Sequence, residues 1–296
     1  MSASPSPFHF PAIVTRLRAA GCVFAEDEAR LLVSAAKTPA DLAAMVDRRA
    51  AGMPLEHVLG WAEFCGLRVA VDPWVFVPRR RTEFLVGEAA ALARDAARPD
   101  RRPGPPGPGA ASPDRRAAAP AGTVIVDLCC GSGAVGATLA AALGPVELYA
   151  VDVDSAAVHC ARRNVGAAGG HVFEGDLYQP LPASLRGRVD VLVANVPYVP
   201  TEEVGLLPAE ARMHEPRVAL DGGADGLDVL RRVVAAAPGW LAPGGSVLAE
   251  TSERQAPRAV EAIAASGLIP RVASSGEMNA TVVIGTRPAR QSRAGG

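Results

Sequence analysis

Two short segments carry the residues that could do chemistry, and each follows an apolar run. The first is Asp127–Gly133, Asp-Leu-Cys-Cys-Gly-Ser-Gly, after the run 123–126. An unbroken β-branched run of this kind predicts a strand buried on both faces, as in a parallel sheet. Gly131 and Gly133 have no Cβ, so backbone amides there could approach a ligand closely. The segment predicts a strand–turn–helix unit at a ligand-binding sheet edge, although a plain turn has the same composition.

The type of ligand is narrowed by what surrounds this turn. It lacks the Lys-Ser/Thr of a phosphate loop. The next apolar run, 146–151, ends in Asp152, and an ionised carboxylate can accept hydrogen bonds from both hydroxyls of a ribose. These features point to a nucleoside ligand without phosphates, such as S-adenosylmethionine.

The second segment is Asn195-Val196-Pro197-Tyr198, which follows the apolar run 189–194. An amide nitrogen is a poor nucleophile because its lone pair is delocalised. The Asn195 side-chain carbonyl and the Val196 backbone carbonyl could accept its two N–H bonds and orient it. Tyr198 offers an aromatic wall and Pro197 stiffens the loop. Asparagine and proline are also common in turns, so a capped turn after a strand is the alternative.

Both segments resemble motifs of class I S-adenosylmethionine-dependent methyltransferases. The first resembles their glycine motif, and 195–198 resembles their Asn-Pro-Pro-Tyr motif with Val196 in place of the first proline. That motif leaves glutamine, adenine, guanine and cytosine open as acceptors. The flanking segments 54–83 and 214–227 are similar to those of HemK/PrmC-type protein-(glutamine-N5) methyltransferases. The family has proline and glutamate where this chain has Arg80 and Arg81.

The resemblance implies methyl transfer from S-adenosylmethionine to the side-chain amide of a protein glutamine, in the family the Gly-Gly-Gln loop of peptide-chain release factors. It implies that Leu177 lies at the adenine, with Asp176 beside its amino group. The implied cofactor-binding residues are Asp127, Cys129, Cys130, Gly131, Ser132, Gly133, Asp152, Asp176, Leu177 and Asn195. The implied substrate-binding residues are Asn195, Val196, Pro197 and Tyr198, of which Asn195, Pro197 and Tyr198 form the catalytic set.

The periodicity of the chain predicts an α/β fold. The resemblance implies that this fold is a Rossmann-like, seven-stranded class I methyltransferase sheet with a small N-terminal helical domain and a connecting β-hairpin. No helix separates the last two strands, which predicts an antiparallel final strand. Strands are predicted at 123–128, 146–151, 170–174, 189–194, 245–250, 268–273 and 279–286. Helices are predicted at 134–143, 154–166, 226–237 and 254–266.

Five segments divide the chain. We expect an N-terminal helical substrate-recognition domain at 1–62, a β-hairpin and connecting helix at 63–97, a disordered Pro/Gly/Arg-rich linker at 98–122, the methyltransferase domain at 123–287 and a disordered tail at 288–296. The hairpin is expected to pair the strand 67–71 with 74–77. Thr38 is the predicted N-cap of a helix that begins with Pro39.

Composition sets the remaining expectations. The 296 residues carry a net charge of −1, so a nucleic-acid partner is not expected. The chain has five cysteines, and we expect it to reside in the reducing cytoplasm. No signal peptide, membrane span or metal site is predicted. We expect a monomer that acts on a protein with an exposed glutamine. One alternative is a nucleic-acid methyltransferase acting on adenine N6 or guanine N2, whose basic face would come from Arg79–Arg81 and the linker arginines. The other is a binding protein without catalysis.

Overall fold

The computed structural model describes residues 9–95 and 122–289. The first part begins with a helical bundle whose interior includes the fully buried Leu17 and Leu32. The Asp41 backbone N–H donates to Thr38 Oγ1 at 3.1 Å, which confirms the predicted N-cap. The helices of the bundle are α1 (Phe10–Ala19), α2 (Ala25–Ala35), α3 (Pro39–Ala50) and α4 (Leu55–Leu59).

A β-hairpin follows the bundle, but it pairs differently from the prediction. Strand β1 (Trp61–Phe64) pairs antiparallel with β2 (Leu67–Ala70), so the predicted partner 74–77 was wrong. The connecting residues Cys65 and Gly66 have φ of +50° and +75°, and a two-residue turn with positive φ matches the twist of the paired strands. Helix α5 (Thr82–Asp95) ends the first described part.

The second part is built on a seven-stranded sheet with the strand order β5-β4-β3-β6-β7-β9-β8. All neighbouring pairs are parallel except those of β9, which lies antiparallel to both β7 and β8. The predicted strands and the antiparallel last strand are thus confirmed. The strands are β3 (Val124–Leu128), β4 (Glu147–Asp152), β5 (His171–Glu174), β6 (Val189–Ala194), β7 (Leu241–Thr251), β8 (Ile269–Ser275) and β9 (Ala280–Thr286).

Helices cover both faces of this sheet, and α5 of the first part packs on one of them. Every residue of β3 is buried, as expected for a strand between two helical layers. One layer contains α5, α6 and α7, and the other contains α9 and α10. The helices of this part, four of them predicted, are α6 (Ala134–Leu143), α7 (Ser155–Ala167), α8 (Ala209–His214), α9 (Asp228–Ala236) and α10 (Ala256–Ala265).

Two predicted segments fall largely outside this description. The linker 98–122 and the tail 288–296 lie outside the described residues, apart from residues 122, 288 and 289. Within the two described ranges, no helix is both long enough and apolar enough to cross a membrane. Strand β3 lies between β4 and β6, so the chain reverses its strand order there. The carboxyl ends of these three strands form the edge at which such sheets bind ligands.

Candidate active site

A cavity of about 1010 Å³ opens at this edge. Its lining comes from the loops after β3, β4, β5 and β6, from the helical bundle and from the segment 76–82 before α5. The structure therefore brings the two chemistry-bearing segments of the sequence to one cavity. The predicted site residues that line it are Asp127, Cys129, Cys130, Gly131, Ser132, Asp152, Asp176, Leu177, Asn195, Val196, Pro197 and Tyr198.

Gly133 is the predicted site residue that does not line the cavity. A Cβ there would lie 2.7 Å from Val165 Cγ2 and 3.2 Å from Ala161 Cβ, so its glycine permits close packing of the turn against α7. Gly131 differs, since a Cβ there would meet no atom within 4 Å. The two glycines thus serve different purposes, and only Gly131 leaves open space on the cavity side.

Asp127 is buried at the end of β3 with one oxygen satisfied. The Gly136 backbone N–H donates to Oδ2 at 2.8 Å, whereas Oδ1 has no hydrogen-bond partner among the described residues. Burial, with the nearby charge of Asp152 as a smaller cause, raises the pKa of this carboxyl to about 7. A buried orphaned oxygen beside a cavity calls for a donor from a ligand, and a cationic donor would favour the ionised form.

Asp152 ends β4 and is held by backbone amides. The Gly131 N–H donates to Oδ2 at 2.8 Å and the Asp154 N–H donates to Oδ1 at 2.9 Å. Burial raises the pKa of the carboxyl, while these two amides oppose the shift. Each carboxylate oxygen keeps a further lone pair, so the group can still accept from a pair of neighbouring hydroxyls.

The loop after β5 forms another part of the wall. Leu177 is 9% exposed and has φ of +51°, an uncommon conformation for a branched side chain. Asp176 forms an ion pair through Oδ2 with Arg232 of α9. Arg232 could not be predicted as a partner of Asp176, because the two residues lie far apart in the chain. Cys129 also has positive φ, at +54°, and burial raises its thiol pKa, so the thiol stays neutral.

The loop 195–198 presents an unpartnered amide. Asn195 is half-buried on the cavity wall, and its side chain makes no hydrogen bond to any residue that the structure describes. Val196 is 2% exposed, and within 9–95 and 122–289 no backbone N–H donates to its carbonyl. The two carbonyl oxygens that the sequence singled out therefore remain available to a ligand.

The glycine-rich run 215–227 backs this loop. A Cβ on Gly222 would lie 2.6 Å from the Pro197 carbonyl oxygen, and one on Gly226 would lie 2.2 Å from the Tyr198 carbonyl oxygen. Gln255 Nε2 donates to the same Tyr198 oxygen at 2.9 Å. The run that resembles the family most specifically thus supports the loop from behind, and Gln255 was missed at the sequence level.

Two of the three arginines before α5 line the cavity, and both of these are paired. Arg79 Nη2 donates to both oxygens of the buried Glu215 at 2.6 Å. Arg81 donates to Glu250 of β7 and to the Tyr198 hydroxyl. Sequence reasoning missed Glu250; a lone carboxylate inside an apolar strand was the available signal. No metal-binding group of three or more His, Cys, Asp or Glu side chains occurs in the described part of the chain.

These features define a class of protein. A class I methyltransferase is defined by this combination of features. They are a sheet with an antiparallel last strand and, on one cavity, a glycine-bearing turn, an acid after the second strand and an Asn-x-Pro-Tyr loop. The family described as Methyltransferase small domain matches residues 116–224. Among solved structures, a T. thermophilus 16S rRNA N2 G1207 methyltransferase aligns with a TM-score of 0.48 and 18% identity, over 77% of this chain and 49% of that one.

Curated relatives identify the family more narrowly. The chain is 38% identical to the release factor glutamine methyltransferase of Geobacter sulfurreducens, over 74% of this chain and 68% of that protein. It is 36% identical to the ribosomal protein uL3 glutamine methyltransferase of Bordetella pertussis, over 75% of this chain and 67% of that protein. The chain belongs to the family of the release factor glutamine methyltransferases and is a methyltransferase, which confirms the resemblance.

Proposed function

We propose that this enzyme transfers the methyl group of S-adenosylmethionine to the side-chain amide nitrogen, N5, of a protein glutamine. Its substrate is a peptide-chain release factor with a Gly-Gly-Gln loop, encountered in the cytoplasm by a monomeric enzyme. The observation that carries the proposal is the unpartnered Asn195 amide on the same cavity as the Gly131 turn. The activities named for the curated relatives support it.

The residues present fit the cofactor. Asp127 Oδ1, buried without a partner, suits an ammonium group, and Asp152 keeps acceptor capacity for the ribose hydroxyls. We assign the adenine to Leu177, with Asp176 Oδ1 left for its amino group because Oδ2 pairs with Arg232. S-adenosylmethionine supplies an electrophilic methyl group when it is bound.

The chain's own residues orient the acceptor. Asn195 Oδ1 and the Val196 carbonyl accept the two N–H bonds of the glutamine amide, which aims the nitrogen lone pair at the methyl carbon. The N–C bond forms as the S–C bond breaks, and these carbonyls stabilise the positive charge that develops on nitrogen. The methylated amide then loses one N–H proton to water. No general base is required, so positioning supplies most of the catalysis.

A nucleic-acid acceptor is not favoured. That alternative required a basic face that included Arg79 and Arg81, but the structure pairs these residues with Glu215 and Glu250. The guanidinium charges are therefore compensated before any phosphate approaches. Two of the three arginines at 79–81 are thus engaged within the protein, and the linker arginines that the alternative also required lie outside the described residues.

Methylation of a purified bacterial release factor with labelled S-adenosylmethionine tests the proposal. We expect one methyl group on the glutamine of the Gly-Gly-Gln loop, mapped by tandem mass spectrometry. A release factor in which that glutamine is replaced by glutamate is the control and should remain unlabelled. Label on another residue of the factor in both proteins would exclude the proposed acceptor.

A further inference from the structure

Arg81 connects three elements that meet at the acceptor side of the cavity. Its Nε donates to Glu250 Oε1 at 2.8 Å and its Nη2 donates to the Tyr198 hydroxyl at 2.5 Å. That hydroxyl donates in turn to Glu250 Oε1 at 2.9 Å. The start of α5, the loop after β6 and strand β7 are thus joined in one closed set of hydrogen bonds.

We propose that Arg81 is a positioning residue for methyl transfer, which clamps the Tyr198 phenol so that its ring forms a fixed wall for the glutamine amide. This inference rests on the proposed function. It concerns a residue whose hydrogen bonds go to Glu250 and the Tyr198 hydroxyl, and its action on the glutamine amide is through Tyr198. The clamp consists of Arg81, Tyr198 and Glu250.

The acidic side of the clamp is buried, whereas the Arg81 side chain is 45% exposed. The Glu250 side chain is 3% exposed, and its other oxygen accepts from Thr82 Oγ1 at 2.6 Å. A buried carboxylate left without partners is costly, so the hydrogen bonds that satisfy it hold their donors in place. Burial and the Glu250 charge raise the pKa of the Tyr198 hydroxyl, which keeps it protonated and able to donate.

The geometry requires arginine. Its planar guanidinium presents two N–H donors to two acceptors at once, which the single point of a lysine ammonium cannot do in the same way. The clamp is therefore specific to a chain that carries arginine here.

Kinetic comparison of Arg81→Gln with Arg80→Gln tests the role. Arg80 is the neighbouring exposed arginine, and it forms no ion pair within the described residues, so its variant removes the same charge without the clamp. We expect Arg81→Gln to lower kcat on the release factor about tenfold, because small misplacements of a positioned group cost rate. S-adenosylmethionine affinity should change less than about twofold, and Arg81→Lys should recover only part of the rate. Equal kcat values for the two glutamine variants would overturn the proposal.

A double-mutant cycle with Tyr198→Phe tests the clamp without any acceptor. If Arg81 acts through the Tyr198 hydroxyl, the double variant should melt at a higher temperature than the sum of the two single losses predicts. Fully additive losses would overturn the clamp. This cycle also distinguishes failure of the clamp from failure of the proposed function. If the unmutated enzyme leaves the release factor unmethylated, the proposed function is contradicted. The melting temperatures still decide whether the Arg81 and Tyr198 side chains are coupled.

Discussion

Asn195 is the side chain on which the chemistry depends, because it offers a carbonyl oxygen that nothing in the described chain occupies. We predict that Asn195→Ala lowers kcat about 100-fold, the typical cost of removing one group that stabilises developing charge. S-adenosylmethionine affinity should change less than the rate does, since the turn and Asp152 are untouched. Steady-state kinetics measures the loss of kcat, and calorimetry measures the cofactor affinity. A variant that methylates at the parent's rate would contradict the role of Asn195 in orienting the acceptor.

Asp152 should matter for the cofactor instead. Removing a charged acceptor typically costs about 1.5–3 kcal/mol, so Asp152→Ala should weaken S-adenosylmethionine binding at least about tenfold in calorimetry. The control is Asp190→Ala, which removes a carboxylate that accepts from the Val124 N–H at 2.9 Å at the opposite edge of the sheet. It should leave the affinity of the folded protein unchanged. Equal affinity in all three proteins would remove the ribose assignment.

The pKa of Asp127 makes cofactor binding depend on pH. With a pKa of about 7, the carboxyl gains its proton as the pH falls, and that proton must leave before the group can accept from an ammonium. Affinity for S-adenosylmethionine should therefore fall roughly eightfold from about pH 7.5 to about pH 6. Asp127→Asn should show weaker binding with a flatter profile. A pH-independent affinity in the parent would contradict the assignment.

At the scale of structural elements, the close packing of the run 215–227 against the 195–198 loop can be tested by mutation. Gly226→Ala places a Cβ 2.2 Å from the Tyr198 oxygen at φ of +75°, so we predict a loss of at least about 2 kcal/mol in urea unfolding. The matched control is Gly205→Ala, where a Cβ meets no atom within 4 Å and φ is not positive. Similar stabilities of the two variants would show that the run does not support the loop.

Local pattern predicted the elements well and their partners less well. Apolar runs located the strands of the main sheet, because a strand buried on both faces has little freedom in composition. The hairpin partner was wrong because its pairing depends on the turn at Cys65 and Gly66, and cysteine is not a typical residue for positive φ. In the site, the strand ends placed Asp152 and Asn195 correctly on one cavity.

Across the whole chain, the contacts that join its parts could not be predicted. Arg49 of α3 donates to Glu28 of α2 at 2.6 Å. It also donates to Glu210 of α8 at 3.0 Å, although Arg49 and Glu210 lie 161 residues apart in the chain. Such partners carry no local sequence pattern, because only the folded chain brings them together. The bundle contributes Phe24 and Leu55 to the cavity lining. Its role in substrate recognition stays a prediction.

The most direct test is a crystal structure of the enzyme with S-adenosylhomocysteine and a peptide that contains Gly-Gly-Gln. We predict that the glutamine side-chain nitrogen lies within about 3 Å of both Asn195 Oδ1 and the Val196 carbonyl oxygen. We also predict that the cofactor ribose contacts Asp152. A peptide glutamine that contacts neither carbonyl, in a complex with the cofactor bound, would contradict it.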